Sequence, residues 1–519
     1  MKKTIFSVLK FIFGLLFSIT IFVIVANFWP MPDLITPPDR NGILLESIHI
    51  VDVETGQVIP NQNVVIENNR IKSIKSYNTD TTYQDVLTID GRDKYLMPGL
   101  WDMHTHSSPY SPWLHHPLYI ANGVTGVRDM SGRLNKKDSY WVGTEERLEW
   151  NRQMIAGSRI SPRYVLQSSF QINGSNSVPD DFPGYFKARN DAEVLELLNY
   201  YHNEGADFIK VYSEIEANPY RTLLKESSNY EMHVAGHKPL NVSLEEAILL
   251  GQRSFEHGRI FMFDCFSSAE ELLKAEDKIT AYRRLKPLMV KDFDLNEAEA
   301  LMQLMTENNA HWTPTLQTLK VDTFSNLQHL KSNPLLKYVP KMRQALWWNP
   351  LLGRDGKTST AEQHKLNVDF YNAVATQVKM ASKHKVPIMV GTDVTDTNII
   401  PGFSLHTELA DLVAAGLTNQ EALMAATITP ARYCDLEKDF GSIEEGKIAD
   451  LLILAKNPLK DINNTQSILG VILGGSYFDD QQLNALTSLT ESTASSIHMN
   501  LKFLTSLLSS PLMRKQLAD

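Results

Sequence analysis

Cysteine is almost absent from this chain, with only Cys265 and Cys434 among 519 residues. Two cysteines cannot build a disulfide framework, and neither lies in a Cys-x-x-Cys pair. We expect both to be small core residues, with a single bridge between them as the open alternative. The fold must therefore depend on a hydrophobic core.

Runs of Lys and Arg are also missing, and the formal net charge is -10 at pH 7. An acidic chain without a basic stripe is poorly suited to nucleic acid, so no nucleic-acid partner is expected. The rest of the composition is ordinary for a globular enzyme. The length suits one large α/β barrel with an accessory module.

Charge is absent from residues 11–29, a nearly continuous apolar run. About 20 such residues can cross a bilayer as a helix. Lys2, Lys3 and Lys10 precede the run, and no Lys or Arg follows it before Arg40, a bias that puts the amino terminus in the cytoplasm. We expect a transmembrane anchor with the rest of the chain outside the cytoplasm, periplasmic or extracellular. Cleavage of the run as a signal peptide, which would give a secreted protein, is the alternative.

Strand and turn patterns near both ends of the chain enclose a long α/β section. Short strands and tight turns fill residues 43–96 and recur in 438–480, which predicts one small β-sandwich module built from both ends. Between them, apolar runs alternate with helical patterns, as is typical of βα units around a parallel sheet. The predicted segments are 1–30 (anchor or signal), 31–42 (proline-containing linker), 43–96 and 438–480 (β module), 97–437 (barrel) and 481–519 (C-terminal helical tail).

Eight strand-like runs in the central section fit a closed (β/α)8 TIM-like barrel. Residues 320–371 are more than a barrel connection requires, and we expect them to form either a lid or a packed surface subdomain. The predicted strands lie near Leu100–His104, Val124–Asp129, Tyr164–Ser168, Phe208–Tyr212, Met232–His237, Phe255–His257, Trp312–Leu316 and Ile388–Gly391.

His104 and His106 stand two residues apart at the end of the first of these runs. Side chains at i and i+2 of a strand face the same way, so two imidazoles can reach one cation. A pair of polar residues closing a strand is the ordinary alternative, because a two-residue match is a weak motif.

Polar residues at other predicted strand ends favour the metal interpretation, because that face of a barrel carries the active site. Several imidazoles with a carboxylate can hold one or two divalent cations. The candidate ligands are His104, His106, Lys210, His237, His257 and Asp393.

These segments resemble the amidohydrolase superfamily, specifically the branch of imidazolonepropionase-like hydrolases and metal-dependent Xaa-Pro or Xaa-Arg dipeptidases. The resemblance covers roughly residues 44–477. It rests on motifs that include Met97-Pro-Gly-Leu-Trp-Asp-Met-His-Thr-His106, Ile209-Lys-Val-Tyr212, Val234-Ala-Gly-His237, Phe255-Glu-His257 and Gly391-Thr-Asp393.

The resemblance implies a role for each candidate ligand. His104 and His106 would bind the more buried metal, and His237 and His257 a second one. Lys210, carboxylated by carbon dioxide, would bridge the two. Asp393 would bind the first metal and take a proton from the bridging water.

Lys210 also has a chemical reason to be modified. An ammonium repels metal ions, whereas a carbamate offers two anionic oxygens that can hold two cations. An ordinary lysine paired with a carboxylate is the alternative. The resemblance implies that imidazolonepropionases and related deaminases lack this lysine and use one metal, so its presence favours the dipeptidase-like side.

The sequence therefore predicts a metal-dependent hydrolase, with two zinc ions, that cleaves an amide (carbon–nitrogen) bond in a small dipeptide or N-acyl amino acid by attack of a metal-bridged hydroxide. Cyclic amides or lactones are the alternative substrates. A non-catalytic metal-binding ectodomain is the alternative from another class. Tyr212 and Arg128 are predicted to hold a substrate carboxylate, with barrel packing or an internal ion pair as the ordinary alternative.

Overall fold

The computed structural model describes residues 24–518 apart from 78–85, 137, 325–330 and 347–359, together with isolated residues before 24. Its strands fall into one mixed sheet and two parallel sheets. In chain order the strands are β1 Gly42–Asp52, β2 Gln57–Glu67, β3 Arg70–Ser76, β4 Val86–Asp90, β5 Tyr95–Pro98, β6 Leu100–Thr105, β7 Val124–Asp129, β8 Arg163–Tyr164, β9 Phe208–Val211, β10 His233–Gly236, β11 Ser254–Glu256, β12 His311–Thr313, β13 Leu451–Leu454, β14 Ile468–Leu473 and β15 Ser476–Asp479.

The mixed sheet contains strands from both ends of the chain, in the order β15-β14-β13-β5-β1-β2-β3, with β4 parallel to the first half of β1. Its apolar face, which includes Ile50, Leu96 and Ile453, forms a separate core. We expected a sandwich of two sheets, but the pairing joins all eight strands in one. The reason is that β5 hydrogen-bonds on both edges, to β1 and to β13.

The two parallel sheets, β6-β7-β8 and β9-β10-β11-β12, belong to one ring. Isolated parallel bridges join β9 to the chain that follows β8. Residues 387–394 close the ring on the other side: Met389 N donates to Trp312 O of β12, and Met103 N of β6 donates to Val390 O, both at 2.9 Å. Because the segments are parallel, their carboxyl ends all lie at one rim.

Helices follow most of these strands, and two of the helices are capped by a Ser or Thr that lies three residues before a Glu. The Ser243 and Thr418 hydroxyls accept hydrogen bonds from the backbone amides of Glu246 and Glu421. The α-helices with continuous described bounds are Ser111–Leu114, His116–Ala121, Thr144–Ile155, Asp191–Asn203, Ala217–Glu226, Leu244–Leu249, Ala269–Lys274, Lys278–Lys291, Leu295–Glu307, Leu316–Phe324, Lys341–Leu346, Ala361–Lys383, Phe403–Ala414, Asn419–Ala425, Ile428–Tyr433, Asp480–Ser495, Ile497–Ser509 and Pro511–Ala518.

The insertion after β12 packs against the C-terminal helices. Met342 N, in the helix Lys341–Leu346, donates to Asn500 Oδ1 at 2.8 Å. Met342 and Phe503 share an apolar cluster with Leu114 and Tyr140, which lie in the loops after β6 and β7. The described part of the insertion therefore lies beside the loops at the carboxyl ends of the ring strands.

The predicted membrane anchor is wrong. In the described part of the chain, no helix is both long and apolar enough to cross a bilayer. Much of residues 11–23 lies outside the described residues. At the described end of the run, the Lys502 ammonium donates to Asn27 O, and His498 Nε2 lies 2.9 Å from Trp29 O, so polar groups of a C-terminal helix contact this segment. The absence of a membrane-spanning helix among the described residues contradicts the predicted transmembrane helix. The membrane partner and the placement outside the cytoplasm were predicted from that helix, so they are corrected with it.

The two cysteines are free and buried, which excludes the disulfide alternative. Burial raises the pKa of the Cys434 thiol to about 12, and it raises that of Cys265 as well. Both residues therefore pack as neutral thiols in the core.

Arg163 and Asp450 form a buried ion pair between the ring and the mixed sheet. Their side chains are 11% and 3% exposed, and Asp450 also accepts from Gly474 N at 3.0 Å. Arg163→Met leaves the Asp450 carboxylate buried without its counter-ion, so we expect it to lower the free energy of unfolding by about 3–5 kcal/mol. Denaturant unfolding followed by circular dichroism measures this.

The matched control is Arg92→Met, which removes the exposed ion pair between Arg92 and Asp90. It should leave the unfolding midpoint close to that of the wild type, because water screens this pair. Equal midpoints for the Arg163 and Arg92 variants would contradict a special role for the buried pair.

Candidate metal centre

Four histidines converge at the carboxyl rim of the ring, and each has its Nδ1 in contact with a neighbouring side chain. A metal-binding histidine is usually oriented by a hydrogen bond to its other ring nitrogen, so this arrangement leaves each Nε2 to face a cation. The Nδ1 pairs are His104 with Glu256, His106 with Ser131, His237 with Ser213, and His257 with Thr315.

Asp393 lies among the Nε2 atoms. Its Oδ1 is 2.8 Å from His106 Nε2 and 3.4 Å from His104 Nε2. On the other side, the Nε2 atoms of His237 and His257 are 3.0 Å apart. His104, His257 and Asp393 each offer a ligand atom within 4.8 Å of the other two. Imidazole nitrogens and a carboxylate at this spacing suit a divalent cation.

Burial sets the protonation of these groups. It lowers the pKa of His104 to about 4, and it lowers those of His237 and His257 well below 6.5, so the imidazoles are neutral, as metal ligands must be. For Asp393, burial would raise the pKa, but interactions with the surrounding histidines, led by His104, outweigh it and hold the pKa well below its usual value. Asp393 is therefore a carboxylate at neutral pH.

Lys210 projects from β9 and is completely buried, and its Nζ has no hydrogen-bond partner among the described residues. Burial lowers its pKa to about 8, although Glu256 and Asp393 oppose the shift. A buried amine without a partner is unfavourable. Conversion of Lys210 to an anionic ligand shared by metal ions fits this environment.

Tyr212 follows Lys210 by two residues and lies on the same side of the ring. Its ring stacks on His237, with centroids 3.9 Å apart and planes inclined by 22°. The structure thus brings Tyr212 to the histidine cluster, where a substrate would lie.

Arg128 does not lie on the side of the ring that carries the histidine cluster. It is 0% exposed, and its guanidinium donates to Met103 O at 2.7 Å, to Ser254 Oγ at 2.9 Å and to Glu256 Oε1 at 2.8 Å. Each guanidinium nitrogen is thus occupied by protein inside the ring. The structure supports the internal ion pair, which was the ordinary alternative, and not a contact between Arg128 and a substrate.

Glu256 contacts a candidate ligand, although the sequence pattern did not predict a role for it. It accepts from Arg128 through Oε1 and contacts His104 Nδ1 through Oε2 at 2.9 Å. Burial would raise its pKa, but Arg128 and then His104 outweigh burial and hold the pKa well below its usual range. Its position in the sequence could have indicated this role. Side chains alternate along β11, so Glu256 faces the side opposite to Phe255 and the same side as Ser254.

The backbone at the rim is strained where it presents ligands. His257 and Asp393 have positive φ angles of 70° and 61°, a region that costs non-glycine residues about 1–3 kcal/mol. Gly391 is required nearby, because a Cβ there would lie 2.7 Å from the His104 Cβ. Strain held by surrounding structure is typical of functional sites.

Comparison with known proteins gives matches over most of the chain. Residues 371–477 match the Amidohydrolase family. Over 472 residues the chain is 24% identical to a 5-methylthioadenosine/S-adenosylhomocysteine deaminase from Caldanaerobacter subterraneus subsp. tengcongensis, covering 85% of this chain and 92% of that protein.

Solved structures show the same fold. A Xaa-Pro dipeptidase with methionine bound in its active site has a TM-score of 0.60 and 20% identity, covering 84% of this chain and 100% of the other. Bottromycin amidohydrolase has a TM-score of 0.64 and 19% identity, covering 88% and 91%. At such identities the likeness establishes the fold alone.

Glu256→Gln tests whether the carboxylate orients His104. The substitution removes the anion that His104 Nδ1 contacts, and we expect the affinity for a divalent cation to fall about 10–100-fold, as for other partners of metal-binding histidines. Competition with a chromophoric chelator measures it. Ser131→Ala removes an uncharged partner of His106 and should cost less.

The Glu256 variant also leaves Arg128 buried without its counter-ion, so a second variant separates stability from orientation. Arg128→Met combined with Glu256→Gln removes both charges. It should recover thermal stability but not metal affinity. Wild-type affinity in the double variant would show that Glu256 does not orient His104.

Proposed function

We propose that this chain, which matches the Amidohydrolase family over residues 371–477 and is a hydrolase of carbon–nitrogen bonds, cleaves the amide of a small dipeptide or N-acyl amino acid. One observation carries the proposal: four oriented imidazoles and Asp393 come together at the rim, and the buried Nζ of Lys210, on which Asp393 acts electrostatically, has no hydrogen-bond partner among the described residues. Such a set can hold two cations for attack on a carbonyl group.

In the proposed site, His104, His106 and Asp393 would hold one zinc ion, and His237 and His257 would hold another. Lys210 would supply an anionic ligand as a carbamate, because a neutral amine adds to carbon dioxide with release of a proton, and burial lowers the lysine pKa to about 8. Metal ions bound there would acidify water and polarise a carbonyl.

Asp393 is the proposed proton carrier. Its carboxylate is anionic and has one oxygen close to His104 and His106, so it can take a proton from water and return it to the leaving nitrogen. Tyr212, stacked on His237, lies where it can position the substrate beside the cluster.

Deamination is the competing function, because the curated relative described above is a deaminase. Both reactions break a carbon–nitrogen bond, so the ligands alone do not separate them. Lys210 favours amide hydrolysis, because a single-metal site has no use for a bridging anion at that position. The structural likeness to a Xaa-Pro dipeptidase is consistent with this choice.

A substrate panel tests the proposal directly. The full chain, loaded with zinc in bicarbonate, is assayed against dipeptides, N-acyl amino acids, lactones and purine nucleosides, with His104→Ala as the inactive control. We expect hydrolysis of an amide and release of a free amine, detected by mass spectrometry. Ammonia release from a nucleoside without any amide hydrolysis would replace the proposal with deamination.

Lys210→Ala tests the bridge. We expect loss of activity and of one of the two bound metal ions, because the shared anion is gone. Short carboxylic acids should partly restore activity by standing in for the carbamate. Elemental analysis and turnover measure the two effects.

A second readout does not depend on turnover. Wild-type protein equilibrated with ¹³C-bicarbonate and zinc should show a carbamate signal by ¹³C NMR, and Lys210→Ala should lack it. Lys238→Ala is the matched control, since Lys238 is also buried but pairs with Asp264 at 2.6 Å. A wild-type spectrum without a carbamate would point to a single-metal site.

A further inference from the structure

Arg343 is a buried cation on the insertion that follows β12. It lies in the helix Lys341–Leu346 and is only 9% exposed. The Phe503 ring of a C-terminal helix lies 5.8 Å from its guanidinium carbon. Tyr140, from the loop after β7, is buried beside Phe503, with ring centroids 6.0 Å apart. The guanidinium thus has aromatic surroundings and little water.

The guanidinium has no counter-ion within ion-pair distance in the described part of the chain. Its Nη2 donates to the backbone oxygen and hydroxyl of Thr395, and its buried Nε has no hydrogen-bond partner among the described residues. Burial lowers the pKa of Arg343, and the electrostatic effects of Tyr140 and then Asp396 oppose this shift. An arginine buried without an anion is costly, so the position suits an anionic ligand.

Arg343 also lies beside the metal centre. Its partner Thr395 follows Asp393 by two residues, and Val394 between them accepts from His106 N at 2.6 Å. From the other side, the Trp141 ring is 6.4 Å from the His106 ring and 5.1 Å from the Tyr140 ring. The guanidinium therefore approaches the rim at the segment that presents the proposed proton carrier.

We propose that Arg343 binds the free carboxylate of the substrate, and so selects amides whose amine or acyl portion carries that group. The inference rests on the proposed amide hydrolysis. Arg343 would thus recognise the carboxylate in place of Arg128, because Arg128 forms a buried ion pair with Glu256 inside the ring.

The chemistry of the guanidinium favours a carboxylate. Donors of Arg343 that are not bonded to Thr395, such as Nε, can bond to a carboxylate oxygen, and the aromatic surroundings provided by Phe503 and Tyr140 strengthen the attraction by excluding water. Contacts with Thr395 keep the donor plane next to the Asp393 segment. A neutral substrate would leave the buried charge uncompensated.

The kinetic test compares each active substrate as the free acid and as its carboxamide. For Arg343→Met we expect the acid-to-amide ratio of kcat/KM to fall about 10–100-fold, mainly through KM, as for loss of a hydrogen bond to a charged group. Arg343→Lys keeps the charge and should give an intermediate ratio. Lys337→Met removes a half-exposed cation on the same insertion and should keep the wild-type ratio.

A binding test separates this inference from the proposed reaction. The full chain is heated with each N-acetyl-L-amino acid and with its carboxamide, and the shift in melting temperature is recorded. Stabilisation by an acid but not by its amide in the wild type, absent in Arg343→Met, supports carboxylate binding even if no amide is hydrolysed. Equal effects of acids and amides on the wild type, or equal losses for both in the variant, would overturn it.

Discussion

The candidate metal centre depends on one buried interaction, the contact of Glu256 with both Arg128 and His104. The carboxylate is buried inside the ring, where a single charge would be very costly. Arg128 offsets that cost, and the second carboxylate oxygen is then free to orient the imidazole. Because Arg128 also bonds to Met103 O, the same cation connects β11 and β7 to the strand that carries His104. The Glu256–Arg128 pair thus holds three strands of the ring together and also orients the His104 imidazole.

Part of this site could be predicted from the sequence because its signals are local. Each candidate ligand ends a short apolar run, and parallel strands bring such ends to one rim. The structure brings together His104, His106, His237, His257 and Asp393, with Lys210 beneath them. The resemblance to the amidohydrolase superfamily is confirmed.

The rest could not be predicted because it depends on contacts between distant segments. Arg128 ends an apolar run like the ligands do, yet it points into the ring, where Glu256 holds it. Arg343 belongs to an insertion without a barrel pattern, and only its hydrogen bonds to Thr395 show that it lies near the rim. The hydropathy of residues 11–29 led to the wrong prediction of a membrane anchor. An apolar run alone does not reveal that polar groups of a C-terminal helix contact the end of the run.

The junction between the two sheets has a mechanical consequence. Gly99 alone separates β5, which is paired on both edges in the mixed sheet, from β6, whose end carries His104. A Cβ at this glycine would lie 2.1 Å from the Thr125 hydroxyl, so no side chain fits there and Thr125 of β7 packs directly against this backbone. Side chains alternate along a strand, and a slip of β5 by one residue would carry through into β6 and turn His104 away from the rim. The pairing of β5 in the mixed sheet therefore fixes the direction in which His104, a candidate metal ligand, projects.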